Sequence, residues 1–186
     1  FIAPGNAGTS LEGDFENLPI TEIPELVEFA KKESIAFTVV GPEAPLAAGI
    51  VDAFRAAGQK IFGPTRQAAQ LETSKGFAKA FMQRHGIPTA AYASFSSAAE
   101  AHHYLDQTGA PIVIKADGLA AGKGVVVAMT LAEAHTPEDA ILVENRVGNA
   151  GARIVIEEFL EGEEACFIVM AEGRHVLPLA TSQGHK

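Results

Sequence analysis

The first third of the chain alternates between helical and extended patterns of apolar residues. Residues 21–33 repeat apolar side chains at helical spacing, with a proline in the first turn, and this pattern predicts a helix. The short apolar runs over 35–40 and 60–62 predict buried strands, and a helix is predicted between them over 47–57. Strands that alternate with helices of this size indicate a parallel sheet, here part of a doubly wound domain whose first strand would precede residue 1.

The rest of the chain follows a different pattern. A long helix is predicted over 66–85, and after it come strands joined mostly by short turns. Ser97 begins a further helix that ends at Gly109, and another lies within 131–146, where Pro137 predicts a break or a late start. The predicted strands are 91–95, 111–115, 125–129, 153–159, 164–170 and 175–179, the last three as successive antiparallel neighbours. This arrangement is α+β.

We therefore expect two domains. Residues 1–72 form an N-terminal α/β domain with a partial doubly wound parallel sheet, and residues 73–186 form the first part of an α+β domain. A lid subdomain is expected over about residues 92–165 of the second domain. Neither end has a natural start or stop, so we expect the sequence to be an internal piece of a longer chain.

The amino-acid composition argues against some classes of binding partner. The net charge is −9 and no run of lysine and arginine is present, which argues against a nucleic-acid partner. No stretch reaches the ~18 apolar residues of a membrane span. The single cysteine, Cys166, cannot form a disulfide within the chain, which fits a reducing cytoplasm, and its apolar neighbours predict a buried thiol. We expect a cytoplasmic, monomeric protein that binds small molecules.

The most informative segment is the glycine-rich turn between two predicted strands. Gly118, Gly122 and Gly124 allow the backbone to approach a ligand closely, and the amides of such a turn can bind an anion. Lys123 at its tip and Lys115 on the preceding strand add positive charge. The segment is not a Walker A loop, because its first glycine is one residue late and Gly124 replaces the hydroxyl residue. A glycine-rich hairpin with a solvated lysine is the alternative.

An acidic segment follows about thirty residues later. The backbone of Phe159 and Leu160 can pair with the edge of adenine, and Glu164 offers two acceptor oxygens to ribose hydroxyls. A solvated acidic turn is the alternative.

The lysine-tipped hairpin followed by Glu-Glu-Phe-Leu-x-Gly-x-Glu over 157–164 resembles the ATP-grasp fold. Within that fold, five strings in the same order resemble the glycinamide ribonucleotide synthetase family. They are residues 3–9, 40–46, 61–65, 115–124 and 180–183. Five separated strings in order are more specific than any one of them, and together they extend over essentially the whole chain.

The resemblance implies an ATP-dependent ligase that joins glycine to 5-phosphoribosylamine through a glycyl phosphate, in purine synthesis. ATP would carry Mg²⁺ or Mn²⁺. The family has the ligands of this metal beyond residue 186, so no metal ligand is expected in this chain, and the resemblance identifies no certain catalytic residue within it. The residues implied for ATP are Lys75, Lys115, Gly118, Gly122, Lys123, Gly124, Glu157, Glu158, Phe159, Leu160 and Glu164. Those implied for phosphoribosylamine or glycine are Asn6, Gly41, Pro42, Glu43 and Ser182.

Two alternatives remain open at this stage: another ATP-grasp carboxylate–amine ligase, and a nucleotide-binding chain without catalysis. The string Gly-Pro-Glu-Ala-Pro over 41–45 argues against the first. Gly184 stands where the family usually has aspartate, and we expect this substitution to slow the enzyme. The six histidines show no spacing typical of metal ligands, so surface or capping roles are expected for them.

Overall fold

The computed structural model describes residues 1–118, 124–142 and 153–184, without the side chains of residues 137–140. A short 3₁₀ turn over Thr9–Leu11 precedes the first helix. The elements of the N-terminal part are α1 (Ile23–Lys32), β1 (Thr38–Val39), α2 (Glu43–Ala48), α3 (Ile50–Ala56) and β2 (Ile61–Phe62). Strands β1 and β2 pair in parallel, which confirms the predicted strand direction.

The core of this part lies between α1, α3 and β2. Its buried side chains are Val27, Ala30, Ile50, Val51, Phe54 and Ile61. The helix predicted over 47–57 is instead two helices that meet at Gly49, whose φ of 92° lies in the left-handed region. Glycine adopts that conformation without the steric penalty of a side chain, so it ends one helix and begins the next.

The helix predicted over 66–85 is also divided, into α4 (Gln70–Thr73) and α5 (Lys75–Arg84). Ser74 between them is extended, with φ of −135° and ψ of 112°, and its hydroxyl accepts a hydrogen bond from the Phe77 amide. Serine is a preferred N-cap because its side chain satisfies an amide that the helix leaves unpaired. As a result, Lys75 becomes the first residue of α5.

A four-stranded sheet follows, built from β3, β4, β5 and β6 and flanked by two helices. Its order is β3-β6-β4-β5 and all three pairings are antiparallel. The bounds are β3 (Tyr92–Phe95), α6 (Ala98–Thr108), β4 (Ile112–Ala116), β5 (Val125–Ala128), α7 (Leu131–Leu142) and β6 (Ile154–Glu158). The expectation that the strand over 153–159 pairs with the next strand was wrong, because β6 lies inside this sheet. Its apolar residues are buried, as an interior strand requires.

The two faces of the sheet differ. On one face, alternate residues of β4 and β6 pack with α6 and α7 into the main core, which includes Leu105, Ile112, Ile114, Ile154 and Ile156. Helix α7 runs without a break through residue 137, contrary to the expected interruption. The other face carries Val113, Lys115 and Glu157, and α5 lies against it.

The C-terminal part consists of β7 (Ala165–Cys166), β8 (Val169–Glu172), β9 (His175–Pro178) and β10 (Ser182–Gln183). Strands β8 and β9 form an antiparallel hairpin, and β7 pairs with β10. Cys166 is exposed, so the prediction of a buried thiol was wrong. Its apolar neighbours belong to two-stranded pairings, and every residue of β7 to β10 is exposed. No helix among the described residues is long and apolar enough to cross a membrane.

Candidate nucleotide site

The start of α5 is held against the end of β4 by Asp117. The Asp117 carboxylate accepts hydrogen bonds from the Gly76 amide at 2.7 Å and the Ser74 hydroxyl at 3.1 Å. The Lys75 amide donates to the Asp117 carbonyl oxygen at 3.1 Å. These bonds satisfy amides at the N-terminus of α5 and place Lys75 beside the glycine-rich turn, where its ammonium group lies 3.4 Å from the Gly118 carbonyl oxygen.

The register of β4 and β6 brings Lys115 to Glu157. Lys115 is opposite Val155 and Glu157 is opposite Val113, so the two charged residues are diagonal neighbours on one face of the sheet. The Lys115 ammonium group donates to Oε2 of Glu157 at 2.8 Å. Two residues that the sequence analysis assigned to ATP are therefore in contact, although 42 positions separate them.

A second lysine, on α5, reaches the same carboxylate. Lys79 of α5 is only 7% exposed, and its ammonium group lies 3.2 Å from Oε2 of Glu157, itself only 6% exposed. Lys79 was not among the site residues predicted from the sequence. Its spacing from Lys75 could have identified it, since the two lysines are four residues apart and such positions share one side of a helix.

The described charges make this region locally positive. Lys75, Lys79 and Lys115 contribute three positive charges, of which Glu157 balances one, while Asp117 lies 3.7 Å from Arg153. Within a chain of net charge −9, this is a local cluster of cations at the base of a glycine-rich turn. Such a combination attracts a polyphosphate, because ammonium groups and turn amides both donate to anionic oxygens.

The remaining residues assigned to ATP lie around this cluster. Gly124 closes the base of the turn, since its carbonyl oxygen accepts the Ala116 amide at 2.7 Å. Glu158 connects β6 to the segment before β3, because its carboxylate accepts the Ala91 amide at 3.1 Å. Phe159 and Leu160 directly follow β6, where Phe159 is half-buried and Leu160 is exposed. Gly122 and Lys123 lie outside the described residues.

Glu164 lies just before β7 and is tied to the strand opposite. Its carbonyl oxygen accepts the Gly184 amide at 3.2 Å. A Cβ atom at position 184 would lie 3.3 Å from Oε2 of Glu164, so residue 184 is packed directly against that carboxylate.

Asn6, which the sequence analysis assigned to substrate, is held within its own loop. Its side-chain oxygen accepts the Thr9 amide at 3.0 Å, and its backbone oxygen accepts the Asn17 side-chain amide at 3.1 Å. Gly5 has φ of 79°, and a Cβ atom there would collide with the Asn17 side chain, so the loop requires glycine at this position.

The other residues assigned to substrate are dispersed. Gly41 and Pro42 follow β1 and Glu43 begins α2, whereas Ser182 lies in β10. Pro42 lines a cleft of about 800 Å³ whose other walls are mostly apolar and include Phe29. Among the described residues, no hydrogen bond or ion pair connects Asn6, Glu43 and Ser182.

No group of three or more His, Cys, Asp or Glu side chains within the described ranges is placed to hold a metal ion. His102 and His135 hydrogen-bond through their Nδ1 atoms, and Nε2 of His135 lies 3.1 Å from Asp106, so these histidines connect α6 and α7.

Comparison with known proteins identifies the family. The sequence matches the family model of the phosphoribosylglycinamide synthetase N domain over residues 1–72 and that of the ATP-grasp (A) domain over residues 73–186. The chain belongs to the phosphoribosylglycinamide synthetase family. This membership argues against the alternative of another ATP-grasp ligase and confirms the predicted fold class, a parallel α/β part followed by an α+β ATP-grasp part.

Individual relatives agree with this family. A phosphoribosylamine–glycine ligase of Neisseria meningitidis serogroup B is 67% identical over 186 residues, which are 100% of this chain and 44% of that protein. The crystal structure of the Thermotoga maritima phosphoribosylamine–glycine ligase has a TM-score of 0.75 at 29% identity, over 96% of this chain and 42% of its own. The chain thus spans less than half the length of these synthetase-family relatives.

A more distant structure shares the fold alone. The biotin carboxylase domain of the Hydrogenobacter thermophilus 2-oxoglutarate carboxylase has a TM-score of 0.71 at 20% identity. The match covers 87% of this chain and 37% of the carboxylase chain.

Proposed function

We propose that this chain carries the nucleotide-binding part of an ATP-dependent ligase that joins glycine to 5-phosphoribosylamine. In this reaction a glycine carboxylate oxygen attacks the γ-phosphorus of ATP and releases ADP. The phosphoribosylamine nitrogen then attacks the acyl carbon of glycyl phosphate, giving glycinamide ribonucleotide and phosphate. Family membership supports the reaction. The observation that carries the nucleotide site is the contact between Lys115 and Glu157 beside the glycine-rich turn.

The phosphates of ATP bind to Lys75 and Lys115, at the base of the glycine-rich turn that starts at Gly118. Lys115 is 28% exposed and donates to only one described acceptor, so its ammonium group can still donate to a phosphate oxygen. Phosphoryl transfer depends mainly on positioning and on neutralising the charge of the phosphoryl oxygens, and two lysines on different elements contribute to both.

The adenosine part of ATP lies along the same face of the sheet. Val125 is opposite Lys115 and Val127 is opposite Val113, so these valines share the face of the lysine. Val125 and Val127 are 44% and 50% exposed, which leaves an apolar surface next to a polar cluster. A purine ring gains from contact with such a surface. The backbone after Glu158 and the carboxylate of Glu164 bind the adenine edge and the ribose.

The proposal also covers the divalent metal ion and the binding of phosphoribosylamine and glycine. ATP is used with Mg²⁺ or Mn²⁺, which supplies further charge neutralisation to its phosphates. Phosphoribosylamine and glycine are assigned to Asn6, Gly41, Pro42, Glu43 and Ser182 on the family pattern. The protein acts as a cytoplasmic monomer and has no nucleic-acid or membrane partner.

A rate assay tests this proposal. We consider a chimeric ligase in which this chain replaces the matching 186 residues of the Neisseria meningitidis relative. Phosphate release by the chimeric ligase should require both glycine and phosphoribosylamine, whereas the 186-residue chain alone should release none. A chimeric ligase that folds but releases no phosphate above background would contradict the proposed function and favour a nucleotide-binding chain without catalysis.

A further inference from the structure

Two lysines contact one carboxylate oxygen at the proposed nucleotide site, and their surroundings differ. Oε2 of Glu157 lies 2.8 Å from the Lys115 ammonium nitrogen and 3.2 Å from that of Lys79. The Lys115 side chain is 28% exposed, whereas Lys79 of α5 is buried. An ion pair of one lysine with one carboxylate is neutral, but this arrangement has one cation more than the carboxylate balances.

The contacts of Lys79 keep its ammonium group inside the protein. It donates hydrogen bonds to the Thr89 hydroxyl at 2.8 Å and the Ala90 carbonyl oxygen at 3.2 Å. The same buried nitrogen forms an ion pair with Oε2 of Glu157 at 3.2 Å, whereas an ammonium group has three N–H donors in all. Within the described ranges, the Lys115 ammonium group has only the Glu157 contact, so two of its donors remain for an anion.

From this contrast we infer that Lys79 is a positioning residue of the nucleotide site, which acts through Glu157 and never touches the nucleotide. Its charge balances the Glu157 carboxylate from the buried side, so that the charge of Lys115 remains available to the phosphates. The inference rests on the proposed ATP site. It also explains a buried lysine on α5, since a buried ion pair by itself contributes little to stability compared with apolar packing.

Removal of the Lys79 charge should therefore reduce affinity for phosphates but not for the nucleoside. In Lys79→Gln the Glu157 carboxylate has only Lys115 as its partner, and that pair has no net charge. The loss of one nearby positive charge should weaken ATP binding about tenfold, while adenosine, which carries no phosphate, should change less than about twofold. Lys79→Arg keeps the charge and should keep ATP affinity within about threefold of the unsubstituted protein.

A double variant separates a charge effect from a purely structural one. Lys79→Gln combined with Glu157→Gln removes the carboxylate together with its buried partner, which leaves Lys115 with its full charge. ATP affinity should then recover to within about threefold of the unsubstituted protein. If Lys79 only supported the fold, the second substitution would lower ATP affinity further.

The experiment is a set of calorimetric titrations of the chimeric ligase with ATP and with adenosine. Weaker ATP binding in Lys79→Gln, recovered in the double variant, would support the inference. Equal losses for ATP and adenosine, or no recovery in the double variant, would overturn it. If Lys79→Gln does not fold, the double variant is compared directly with the unsubstituted protein, and a tenfold loss of ATP affinity overturns the inference.

The two proposals fail in different ways. An unsubstituted chimeric ligase that binds no ATP would overturn the nucleotide site itself, and the role of Lys79 with it. If the unsubstituted protein and Lys79→Gln bind ATP equally well, the role of Lys79 is overturned, but the nucleotide site is not.

Discussion

Two regions of the molecule are rich in polar contacts: the cluster of Lys79, Glu157 and Lys115, and the loop that holds Asn6. The contacts of the cluster join separate helices and strands, whereas those of the loop stay within the loop. In the cluster, side chains from α5 and β4 converge on one carboxylate of β6, with sequence separations of 78 residues for Lys79 and 42 for Lys115. In the loop, Asn6 bonds to Thr9 and Asn17, which are 3 and 11 residues away. The first set of contacts joins separate elements around a charged centre, and the second stabilises the loop itself.

This difference predicts which substitutions affect binding and which affect folding. Lys115 is partly exposed and keeps donors for a ligand, whereas the Asn6 side-chain oxygen already accepts a hydrogen bond from its own loop. The cluster should therefore determine nucleotide affinity. The Asn6 loop should contribute mainly to the stability of the N-terminal part.

The largest effect is expected for Glu157→Ala. This substitution leaves Lys79 buried without its carboxylate, and breaking a buried pair in this way costs about 3–5 kcal/mol of unfolding free energy. Denaturant unfolding measures the loss, with Glu163→Ala, a change at an exposed glutamate, as the matched control. Equal midpoints for the two variants would show that the buried pair does not support the fold.

Asp117→Ala should have the next largest effect. It removes the acceptor for the Gly76 amide and the Ser74 hydroxyl, at a cost of about 1–3 kcal/mol. It should also weaken ATP binding, because Ser74 and Gly76, the neighbours of Lys75, lose their side-chain attachment to Asp117. Asp117→Asn, which keeps one acceptor oxygen, serves as the control in unfolding and titration experiments. Full ATP affinity in Asp117→Ala would show that Asp117 does not position Lys75.

Asn6→Ala tests the other side of the comparison. It should lower the unfolding free energy by about 1 kcal/mol, because the Thr9 amide loses its acceptor, and leave ATP affinity unchanged. Unfolding and ATP titration of the same variant measure both quantities. A clear loss of ATP affinity without a loss of stability would reverse the roles assigned to the two regions.

Gly184→Asp should have the smallest effect, a rise in the rate of phosphate release of about twofold, because an aspartate can hydrogen-bond neighbouring backbone amides. Gly184→Ala is the control, since it adds only the Cβ that would lie 3.3 Å from Oε2 of Glu164. The alanine variant should be no faster than the unsubstituted chimeric ligase. Equal rates for the two variants would exclude a role for the aspartate carboxylate.

The same contrast explains how much the sequence could predict. Parallel pairing of β1 with β2 and the strands on either side of the glycine-rich turn follow from local patterns, and both were predicted. The position of β6 between β3 and β4 was not predicted, because its partners are 38 to 46 residues away in β4 and 59 to 65 residues away in β3. Periodicity carries no information about pairing over such separations.

The candidate site shows the same limit. Lys115 and Glu157 were singled out from their motifs, but their contact depends on a register that only the folded sheet defines. Lys79 was missed because its role comes from partners on two distant segments, Glu157 of β6 and the Thr89–Ala90 segment before β3. Cys166 was predicted wrongly because local hydrophobicity does not show whether another layer covers a strand.

The central claim is that Lys115 binds the phosphates of ATP. Its most direct test is the dissociation constant of ATP, measured by calorimetry for the chimeric ligase with Lys115→Ala. Loss of a charge-assisted hydrogen bond of about 1.5–3 kcal/mol predicts a value roughly ten- to a hundredfold higher. Lys60→Ala, at an exposed lysine of the N-terminal part, should leave the value unchanged. Equal dissociation constants for the two variants would contradict the account.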